Sequence, residues 1–186
     1  KSKMMDSQDP KFDGVKFILG NSSSDNRGKF IKFYPTQELY GLLDSVAISI
    51  NPKVATVRGL HFQIEPHAEE KLISCIQGAV FDVIADLRPN SKTFGKWASI
   101  QLSAANSLQA YLPKGVAHGF QTTLPNSILH YCLSSRYSPV SSIAIDAFGD
   151  LGIEWPIKEI SISERDSRGV TFAFAADQYA KSLINI

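Results

Sequence analysis

The sequence has little cysteine and no long apolar run. Its two cysteines, Cys75 and Cys132, are too few for a disulfide scaffold and lack the CxxC spacing of many metal and redox motifs. Both lie in apolar, strand-like segments, which predicts two buried free thiols. No apolar stretch approaches the roughly 20 residues that a helix needs to cross a bilayer. These absences predict a protein without a membrane partner in a reducing compartment, which we take to be the cytoplasm.

A surplus of charge of either sign is also absent. The chain has 19 lysines and arginines against 18 aspartates and glutamates, a formal net charge of +1. Proteins that bind the phosphate backbone of nucleic acids usually carry a basic surplus, because their cations release counterions from the phosphates. No block of like charge forms an acidic or basic tail. The composition therefore predicts no nucleic-acid partner.

Length and composition limit the number of domains. The first ten residues, "KSKMMDSQDP", are polar and lack the apolar core of a signal peptide. We expect residues 1–10 to be a disordered tail, part of it foreign to the natural protein and preceding an initiator Met4 or Met5. The chain has 186 residues and is 44% hydrophobic, which is enough for one well-filled core and short for two. We therefore predict one domain over residues 11–186.

Most of the chain consists of short strand-like segments separated by turn-forming residues. "GVKFIL" (14–19) and "KFIKFY" (29–34) flank a polar loop, "GNSSSDNRG", and eight more segments run from "VAISI" (46–50) to "ILHYCLSS" (128–135). This density of short strands favours a sandwich or barrel, with a jelly roll as the natural choice at this length. Two short helices are expected beside it, in "YPTQELYGLLD" (34–44) and "AADQYAKSLI" (175–184).

Four histidines are the first candidates for chemistry: His61, His67, His118 and His130. His67 follows a proline in a loop, which predicts exposure, and His130 neighbours Tyr131 in a strand, so that their side chains point to opposite faces. His118 lies in "LPKGVAHGF", where the spacing P-x-G-x-x-H lets a sharp turn aim the imidazole into a barrel. His61 could be a metal ligand, a core histidine or a base.

The P-x-G-x-x-H motif resembles the second motif of the cupin superfamily, whose double-stranded β-helix agrees with the expected strands. Many cupins bind a metal through an H-x-H pair, a carboxylate and a later histidine. Here the H-x-H position reads His61-Phe62-Gln63, so that an amide stands where the second ligand should be. Three glutamates could supply a carboxylate, but their turn-like context does not favour it: Glu65, Glu69 and Glu70. We therefore predict an all-β cupin jelly roll with a few short peripheral helices and no bound metal.

A longer pattern resembles one branch of the cupins. In chain order it consists of "RGLHFQ", "EEKLISCIQGAVFDVIADLR", "SKTFGKW" and "LPKGVAHGF", then Tyr131, then "LGIEWP" and "SERD". Together these are similar to the dTDP-4-dehydrorhamnose 3,5-epimerases of deoxysugar pathways. The resemblance runs from about Gly14 to Asp166. It implies a cofactor-free epimerase of a nucleoside-diphosphate 4-keto-6-deoxyhexose. It also implies a homodimer in which N-terminal strands contribute to the neighbour's site.

The resemblance assigns catalytic roles to residues that match the family's motifs. His61 is the expected base, oriented by Asp166, and Tyr131 is the expected acid on the opposite face of the sugar. Lys71 is expected to stabilise the enolate and Arg58 to bind the diphosphate, because cations in apolar strands are costly unless they meet anions.

Three further residues are expected to support the substrate. His118 is expected to contact the sugar or the enolate, and Asp82 to orient the cationic residues. Gln63, which disfavours a metal, is expected to be a substrate contact instead.

The sequence departs from the family pattern where the nucleoside is expected to bind. "DNRGKFIK" keeps Arg27 and Phe30, which would act across the dimer interface, but has Lys32 in place of an acid. Arg136 stands where a stacking aromatic residue is expected, and a family glutamine falls at Val46. Cytosine N3 accepts a hydrogen bond whereas thymine N3–H donates one, so that cations suit cytosine better. We therefore hypothesise a variant that acts on a CDP-linked sugar, with inversion at C5.

Two other functions remain open on the sequence alone. The first is a metal-dependent cupin enzyme, for which stoichiometric iron or zinc would be the sign. The second is a cupin that binds sugar nucleotides without catalysis. The set of His61, Asp166 and Tyr131 disfavours the second function, because binding alone does not require a base and an acid.

Overall fold

The fold is described from a computed structural model, which covers residues 12–26, 28–32 and 43–184. Within these ranges the chain forms mostly strands, with two helices near its end. The strands are β1 (Lys16–Leu19), β2 (Asn21–Asp25), β3 (Gly28–Lys32), β4 (Ser45–Asn51), β5 (Thr56–Gln63), β6 (Lys71–Gln77), β7 (Ala79–Asp86), β8 (Trp97–Ser103), β9 (Leu108–Leu112), β10 (Val116–Thr122), β11 (Ser127–Leu133), β12 (Ser142–Ala144) and β13 (Ser161–Ile162). The helices are α1 (Glu164–Ser167) and α2 (Phe172–Ile184).

Two sheets pack face to face and form the sandwich. One sheet has the order β1-β9-β6-β11-β4, and the other has the order β12-β5-β10-β7-β8, with β13 added in parallel to β5. Apolar side chains from both sheets form one core cluster, and each contributes roughly 1.5–3 kcal/mol through its burial. They include Ile73, Leu112 and Leu129 from the first sheet and Val80, Ile100 and Phe120 from the second. The predicted all-β cupin jelly roll is confirmed.

The six-stranded sheet is covered on its other face as well. A second core cluster joins Leu60 and Val83 of this sheet to Trp155 and to Tyr179 of α2. Burial on both faces explains why β7 reads as a nearly continuous apolar run rather than an alternating one. The predicted helix over 175–184 is therefore confirmed, and it packs on the sheet instead of standing apart from it.

The five-stranded sheet differs because its outer face carries exposed apolar residues. Val46, Ile48 and Ile50 of β4 are 56%, 58% and 66% exposed. Ala47, between them, pairs with Tyr131, whose side chain packs on the inner core, so alternation turns the three residues outward. Cys132 also faces outward and is half-buried, so the prediction of a buried thiol is right for Cys75 and wrong for Cys132.

Four further predictions have different outcomes. The predicted polar loop "GNSSSDNRG" contains strand β2, which pairs with β3 in an antiparallel hairpin. Its side chains are exposed throughout, so they give no periodic signal, and the pairing rests on backbone hydrogen bonds. The tail over 1–10 and most of the helix predicted over 34–44 lie outside the described residues, and the single domain over 11–186 stays a prediction.

Among the residues that the structure describes, no helix is long and apolar enough to cross a bilayer.

Candidate active site

A pocket opens between the two sheets and collects most of the residues singled out in the sequence. Arg58, His61 and Gln63 of β5, Lys71 of β6, His118 of β10 and Tyr131 of β11 line it. Asp166 and Asp82 lie behind two of the histidines and are hydrogen-bonded to them. Because β5 and β10 belong to one sheet and β6 and β11 to the other, the lining residues face one another across the sandwich.

A bulge in β5 lets two residues three positions apart face the same pocket. Arg58 pairs with Phe120 and His61 pairs with His118, so Gly59 and Leu60 together stand opposite a single residue of β10. A regular strand would turn residues three apart to opposite faces, and a bulge corrects this by one position. The extra residue therefore brings both the imidazole and the guanidinium into the pocket.

Glycines make this bulge sterically possible. Gly59 has a φ of +83°, and a Cβ there would lie 2.5 Å from the backbone oxygen of His118. On the facing strand, a Cβ at Gly119 would lie 2.8 Å from the oxygen of Arg58. Side chains at these two positions would push β5 and β10 apart where they support His61. The "RGLH" and "HGF" motifs therefore encode a backbone shape as well as functional groups.

Asp166 holds the imidazole of His61. The distance from His61 Nε2 to Asp166 Oδ1 is 2.6 Å, and the backbone N–H of Gly59 donates to Asp166 Oδ2 at 3.1 Å. Burial acts to raise the pKa of the Asp166 carboxyl, but the hydrogen bond and charge of His61, together with the Gly59 N–H, outweigh it and lower the pKa. The carboxylate stays ionised and fixes one ring nitrogen, leaving the other for the pocket.

Local sequence brings Asp166 to this position. Strand β13 pairs in parallel with the start of β5, which places the following helix α1 alongside His61. Ser163 caps that helix, since its hydroxyl accepts a hydrogen bond from the backbone N–H of Asp166 at 3.1 Å. The "SERD" motif is thus a helix cap whose fourth residue points at the histidine.

Tyr131 lies on the opposite wall from His61, because β11 and β5 belong to different sheets. Its ring makes an edge contact with His118, with centroids 5.9 Å apart. Burial raises the pKa of its phenol, and the nearby Asp82 charge raises it further. The hydroxyl therefore stays protonated at neutral pH and can act as a donor. Among the described residues, the pocket thus has a base candidate on one wall and an acid candidate on the other.

Two cations flank these residues. Lys71 Nζ donates to the backbone oxygen of His61 at 3.0 Å and lies 3.3 Å from Glu69 Oε1. Arg58 Nε donates to Asn51 Oδ1 at 2.7 Å, and the residue lines the pocket. Both predicted cations therefore line the pocket.

The second histidine, His118, is paired with a deeper carboxylate. His118 Nε2 lies 2.7 Å from Asp82 Oδ1, and both side chains are buried. Asp82 Oδ2 has no hydrogen-bond partner among the described residues. Burial raises the pKa of the Asp82 carboxyl, and the His118 charge and hydrogen bond only partly offset this.

Gln63 lies at the pocket, but its amide is occupied by the protein. Its Nε2 donates to the backbone oxygens of His67 and Arg136, at 3.0 and 3.1 Å, and its Oε1 accepts from the N–H of Ser138 at 2.6 Å. The residue therefore fixes the loop 134–141 at the pocket mouth. A direct contact between Gln63 and a substrate stays a prediction.

Three predicted substrate contacts do not line this pocket, and a fourth is outside the described residues. Phe30 and Lys32 lie on the β2–β3 hairpin, and Arg27 lies outside the described residues. Arg136 is 83% exposed and forms an ion pair with Asp44 at 3.3 Å. The next residue of the loop, Tyr137, lines the pocket instead. Val46 faces outward, so the pocket-lining residue that β4 supplies is Ser49.

The pocket also contains residues that the sequence interpretation did not assign to the site. Tyr137 and Arg165 line its mouth, and the guanidinium of Arg165 donates to Tyr137 Oη at 3.2 Å and to Ser142 Oγ at 2.8 Å. Glu69 lines the wall beside Lys71. The position of Arg165 next to Asp166 in "SERD" was a usable signal. Tyr137 supplies the aromatic ring that was expected one residue earlier.

The donor set does not form a metal site in the described part of the chain, where no group of three or more His, Cys, Asp or Glu side chains is arranged to hold an ion. His61 and His118 are each bonded to an aspartate rather than sharing a centre.

Comparisons with known proteins connect this geometry to a family. The sequence pattern of the dTDP-4-dehydrorhamnose 3,5-epimerase family matches residues 9–173. A dTDP-4-dehydrorhamnose 3,5-epimerase of Sinorhizobium fredii is 37% identical over 161 residues, which cover 82% of each chain. A dTDP-4-dehydrorhamnose 3-epimerase of Streptomyces niveus is 32% identical over 172 residues, which cover 89% of this chain and 83% of that one.

Solved structures agree with this similarity. A dTDP-4-dehydrorhamnose 3,5-epimerase of Bacillus anthracis, with TDP and PPi bound, superposes with a TM-score of 0.83 at 34% identity, covering 89% of this chain and 98% of that one. A 4-keto-6-deoxy sugar epimerase from the novobiocin gene cluster of Streptomyces spheroides superposes with a TM-score of 0.84 at 29% identity, covering 95% and 92%.

Proposed function

The chain belongs to the dTDP-4-dehydrorhamnose 3,5-epimerase family and is an isomerase, and we propose from this premise how its residues work. The proposed reaction is the cofactor-independent epimerisation of a nucleoside-diphosphate 4-keto-6-deoxyhexose, at C5, at C3 or at both. Membership favours this reaction over the two alternatives, a metal-dependent cupin enzyme and a non-enzymatic binding protein.

The chemistry needs three kinds of group. The C4 ketone acidifies the hydrogens on C3 and C5, because the carbanion delocalises onto oxygen as an enolate. A base must remove the proton from one face, a cation or donor must stabilise the enolate oxygen, and an acid must return a proton to the other face. A single residue that returned its own proton would leave the configuration unchanged.

One observation carries the proposal: His61 and Tyr131 face the same pocket from opposite sheets. We assign the base to His61, because Asp166 fixes its tautomer and stabilises the imidazolium as it forms. We assign the acid to Tyr131, because its phenol stays protonated in its buried environment. A sugar ring lying between the two walls would lose a proton to one and gain a proton from the other.

The cations fit the remaining parts of an anionic substrate. Lys71 lies beside His61, so we place the enolate oxygen near its ammonium, with His118 supporting the same end of the sugar. Arg58 and Arg165 lie toward the open side of the pocket, where guanidinium groups can bind phosphate oxygens. Asp82 orients His118 from behind. Base, acid and cations are all supplied by the chain, so the proposed steps need no cofactor.

The experiment that tests the proposal is NMR in D2O with dTDP- and CDP-4-keto-6-deoxyglucose. Deuterium incorporation at C5 alone or C3 alone would identify a mono-epimerase, and incorporation at both would identify a 3,5-epimerase. Incorporation at neither carbon with either substrate, from a folded protein, would contradict the proposal.

A CDP-linked sugar is the second candidate substrate. The cation that lines the pocket mouth beside Tyr137 is Arg165 rather than Arg136, and the part of β4 that lines the pocket supplies Ser49 rather than an acid. Cytosine offers an acceptor at N3 and suits a cation there. Calorimetry with CDP and dTDP would test this candidate, and equal affinity for the two nucleotides would contradict it.

The active unit is proposed to be a homodimer. Val46, Ile48 and Ile50 form an exposed apolar stripe on β4, and Phe30 on the β2–β3 hairpin is also exposed. Monomeric proteins rarely leave such contiguous apolar patches in water. In a dimer, the hairpin residues Phe30 and Lys32 could reach the partner's pocket, with Arg27 beside them in the sequence. Light scattering should give twice the chain mass of 20.4 kDa, and Ile48→Lys should weaken the dimer.

A cytoplasmic location is the proposed cellular context. Both cysteines are free thiols, which persist in reducing compartments. Nucleotide-sugar substrates are also made where nucleoside triphosphates are available.

A further inference from the structure

A carboxylate lines the pocket in a position that the proposed reaction does not explain. Of the three glutamates near Pro66, Glu69 is the one that lines the wall, with its side chain 10% exposed. It precedes β6 by two residues and lies on the same wall as Lys71. The reaction as proposed uses a base, an acid and cations, and it has no step for this group.

Both oxygens of Glu69 have partners. Oε1 lies 3.3 Å from the Lys71 ammonium, whose side chain is 7% exposed. Oε2 lies 3.3 Å from Gln63 Nε2 and shares the two N–H groups of that amide with the backbone oxygens of His67 and Arg136. The same Gln63 amide holds the loop that carries Tyr137, through the oxygen of Arg136 and the N–H of Ser138. The Glu69 carboxylate therefore connects Lys71 to Gln63, the residue that holds the loop at the pocket mouth.

An ion pair as buried as this one is a weak source of stability. Removing two charges from water costs about as much as their attraction returns, so similar pairs often add nothing to folding. Buried charges in clefts are found more often where a function depends on their orientation. Glu69 and Lys71 lie in the pocket itself, so an orienting role explains their burial better than a stabilising one.

The contacts of Lys71 Nζ indicate how its ammonium group is oriented. A lysine ammonium has three N–H donors and no acceptor. Two oxygens lie near Lys71 Nζ: the backbone oxygen of His61 accepts a hydrogen bond at 3.0 Å, and Glu69 Oε1 forms an ion pair with the ammonium at 3.3 Å. Among the described residues there is no third acceptor, and Lys71 lines the pocket. At least one N–H is therefore left for a group of the substrate.

We propose that Glu69 is a positioning residue, which holds the Lys71 ammonium so that its third N–H points at the C4 oxygen of the sugar. This inference rests on the proposed role of Lys71 in stabilising the enolate. Glu69 acts through Lys71 and does not touch the reacting atoms. The stabilisation it supports grows as charge moves onto oxygen, so its loss should affect turnover more than substrate binding.

The first test is a comparison of Glu69→Gln with Glu65→Gln. Glu65 is a matched control, because its side chain is 11% exposed and pairs with Lys114 at 3.2 Å, away from the lining of the pocket. Glu69→Gln should lower kcat by about 10-fold with KM within about 3-fold, since misplaced catalytic groups cost rate. Glu65→Gln should retain wild-type kcat. Equal kcat for wild type and Glu69→Gln would overturn the inference.

A double variant separates positioning from general damage. In the Lys71→Met background, Glu69→Gln should cause no further loss of kcat, because the residue acts through the missing lysine. Independent, multiplicative losses would overturn the inference. Thermal unfolding of each variant shows whether a loss of kcat comes from unfolding. Glu69→Asp keeps the negative charge and should recover part of the kcat that Glu69→Gln loses.

A readout that does not require turnover completes the test. In 15N NMR of the lysine ammonium groups, a held Lys71 should give a resolved signal that disappears in Lys71→Met. That signal should broaden or vanish in Glu69→Gln and persist in Glu65→Gln. An unchanged signal in Glu69→Gln would overturn the inference even if the substrate is not the one proposed. Absence of deuterium exchange in the wild type, by contrast, would contradict the proposed function but would not change what the Lys71 signal shows about Glu69.

Discussion

Two histidine–aspartate pairs lie next to each other in the sandwich, and they differ although their bond lengths match. His61 Nε2 lies 2.6 Å from Asp166 and His118 Nε2 lies 2.7 Å from Asp82. The two histidines stand directly opposite on β5 and β10, so both rings face the same pocket. The His61 side chain is 36% exposed, whereas that of His118 is 5% exposed. Nearly equal His–Asp distances thus accompany unequal exposure of the two imidazoles to a substrate.

The second oxygen of each carboxylate explains the electrostatic difference. Asp166 Oδ2 accepts from the N–H of Gly59, and the pKa of this carboxyl is lowered despite the burial that acts to raise it. Asp82 Oδ2 has no partner in the described part of the chain, and burial raises the pKa of this carboxyl. A carboxylate that is fully hydrogen-bonded can support a histidine that gains a proton. The hydrogen-bond partners of the carboxylate, rather than the His–Asp distance, therefore distinguish the base from the supporting histidine.

The largest expected effect distinguishes the two histidines. His61→Asn should lower deuterium incorporation into the 4-keto sugar by about 1,000- to 10,000-fold, because it removes the base. His118→Asn should lower it by about 10- to 100-fold, because the lost group supports the sugar without taking the proton. Single-turnover NMR in D2O measures both rates. Similar losses in the two variants would contradict the assignment of different roles.

The two aspartates should follow their histidines with smaller effects. Asp166→Asn should lower kcat by about 1,000-fold, since an amide at this position favours the wrong tautomer of His61. Asp82→Asn should lower kcat by about 10-fold, because the buried ring of His118 is still held by its contacts with Phe120 and Tyr131. Steady-state kinetics at neutral pH measures both values. If Asp82→Asn were the more damaging variant, the base would have to be sought on β10.

These pairs also show what a sequence can and cannot predict. "RGLHFQ", "LPKGVAHGF" and "SERD" are short motifs with fixed spacing, so the partners His61, His118 and Asp166 could be assigned before any geometry was known. The strands were predictable for a similar reason, because alternation and turn residues are local signals. The hairpin strand β2 was not, because its exposed polar side chains have no apolar period.

Other parts of the site depend on the backbone path, which no local pattern encodes. The bulge at Gly59 and Leu60 turns Arg58 toward the pocket, and it is visible only in the pairing of β5 with β10. The loop after β11 presents Tyr137 rather than Arg136, which a count along the sequence could not distinguish. The sequence identifies Glu69 only as a possible metal ligand and Lys71 only as a cation for the enolate, and nothing in it connects the two side chains. The contact between them is a property of the folded wall.

A third prediction uses the tyrosine that contacts the buried pair. Tyr131→Phe should lower the rate of inversion by about 100-fold, while exchange of the sugar hydrogen with solvent stays within about 10-fold of wild type. The physical reason is that His61 can still remove the proton and return it to the same face. NMR of the product measures both rates, because its configuration reports inversion and its deuterium content reports exchange. Equal loss of exchange and inversion would show that Tyr131 is not the opposite-face acid.

The smallest effect concerns stability, and the two aspartates should respond to pH in opposite directions. The folded pKa of Asp166 is lowered, so its ionised form stabilises the native state above its unfolded pKa of about 3.9. That stability is lost as pH falls through the lowered folded pKa. The folded pKa of Asp82 is raised, so its ionised form opposes folding, and acidification through the raised pKa should restore stability.

Urea unfolding of wild type, Asp166→Asn and Asp82→Asn at pH 7 and near pH 4 would measure this difference. The stability advantage of wild type over Asp166→Asn should be largest at pH 7 and begin to shrink near pH 4, where the unfolded carboxyl gains a proton before the folded one does. Wild type should instead gain on Asp82→Asn as pH falls from 7, because the variant has no carboxyl to protonate there. If both differences moved in the same direction, the second oxygen of each carboxylate could not be what separates the two pairs. The distinction between base and support would then rest on the exposure of His61 alone.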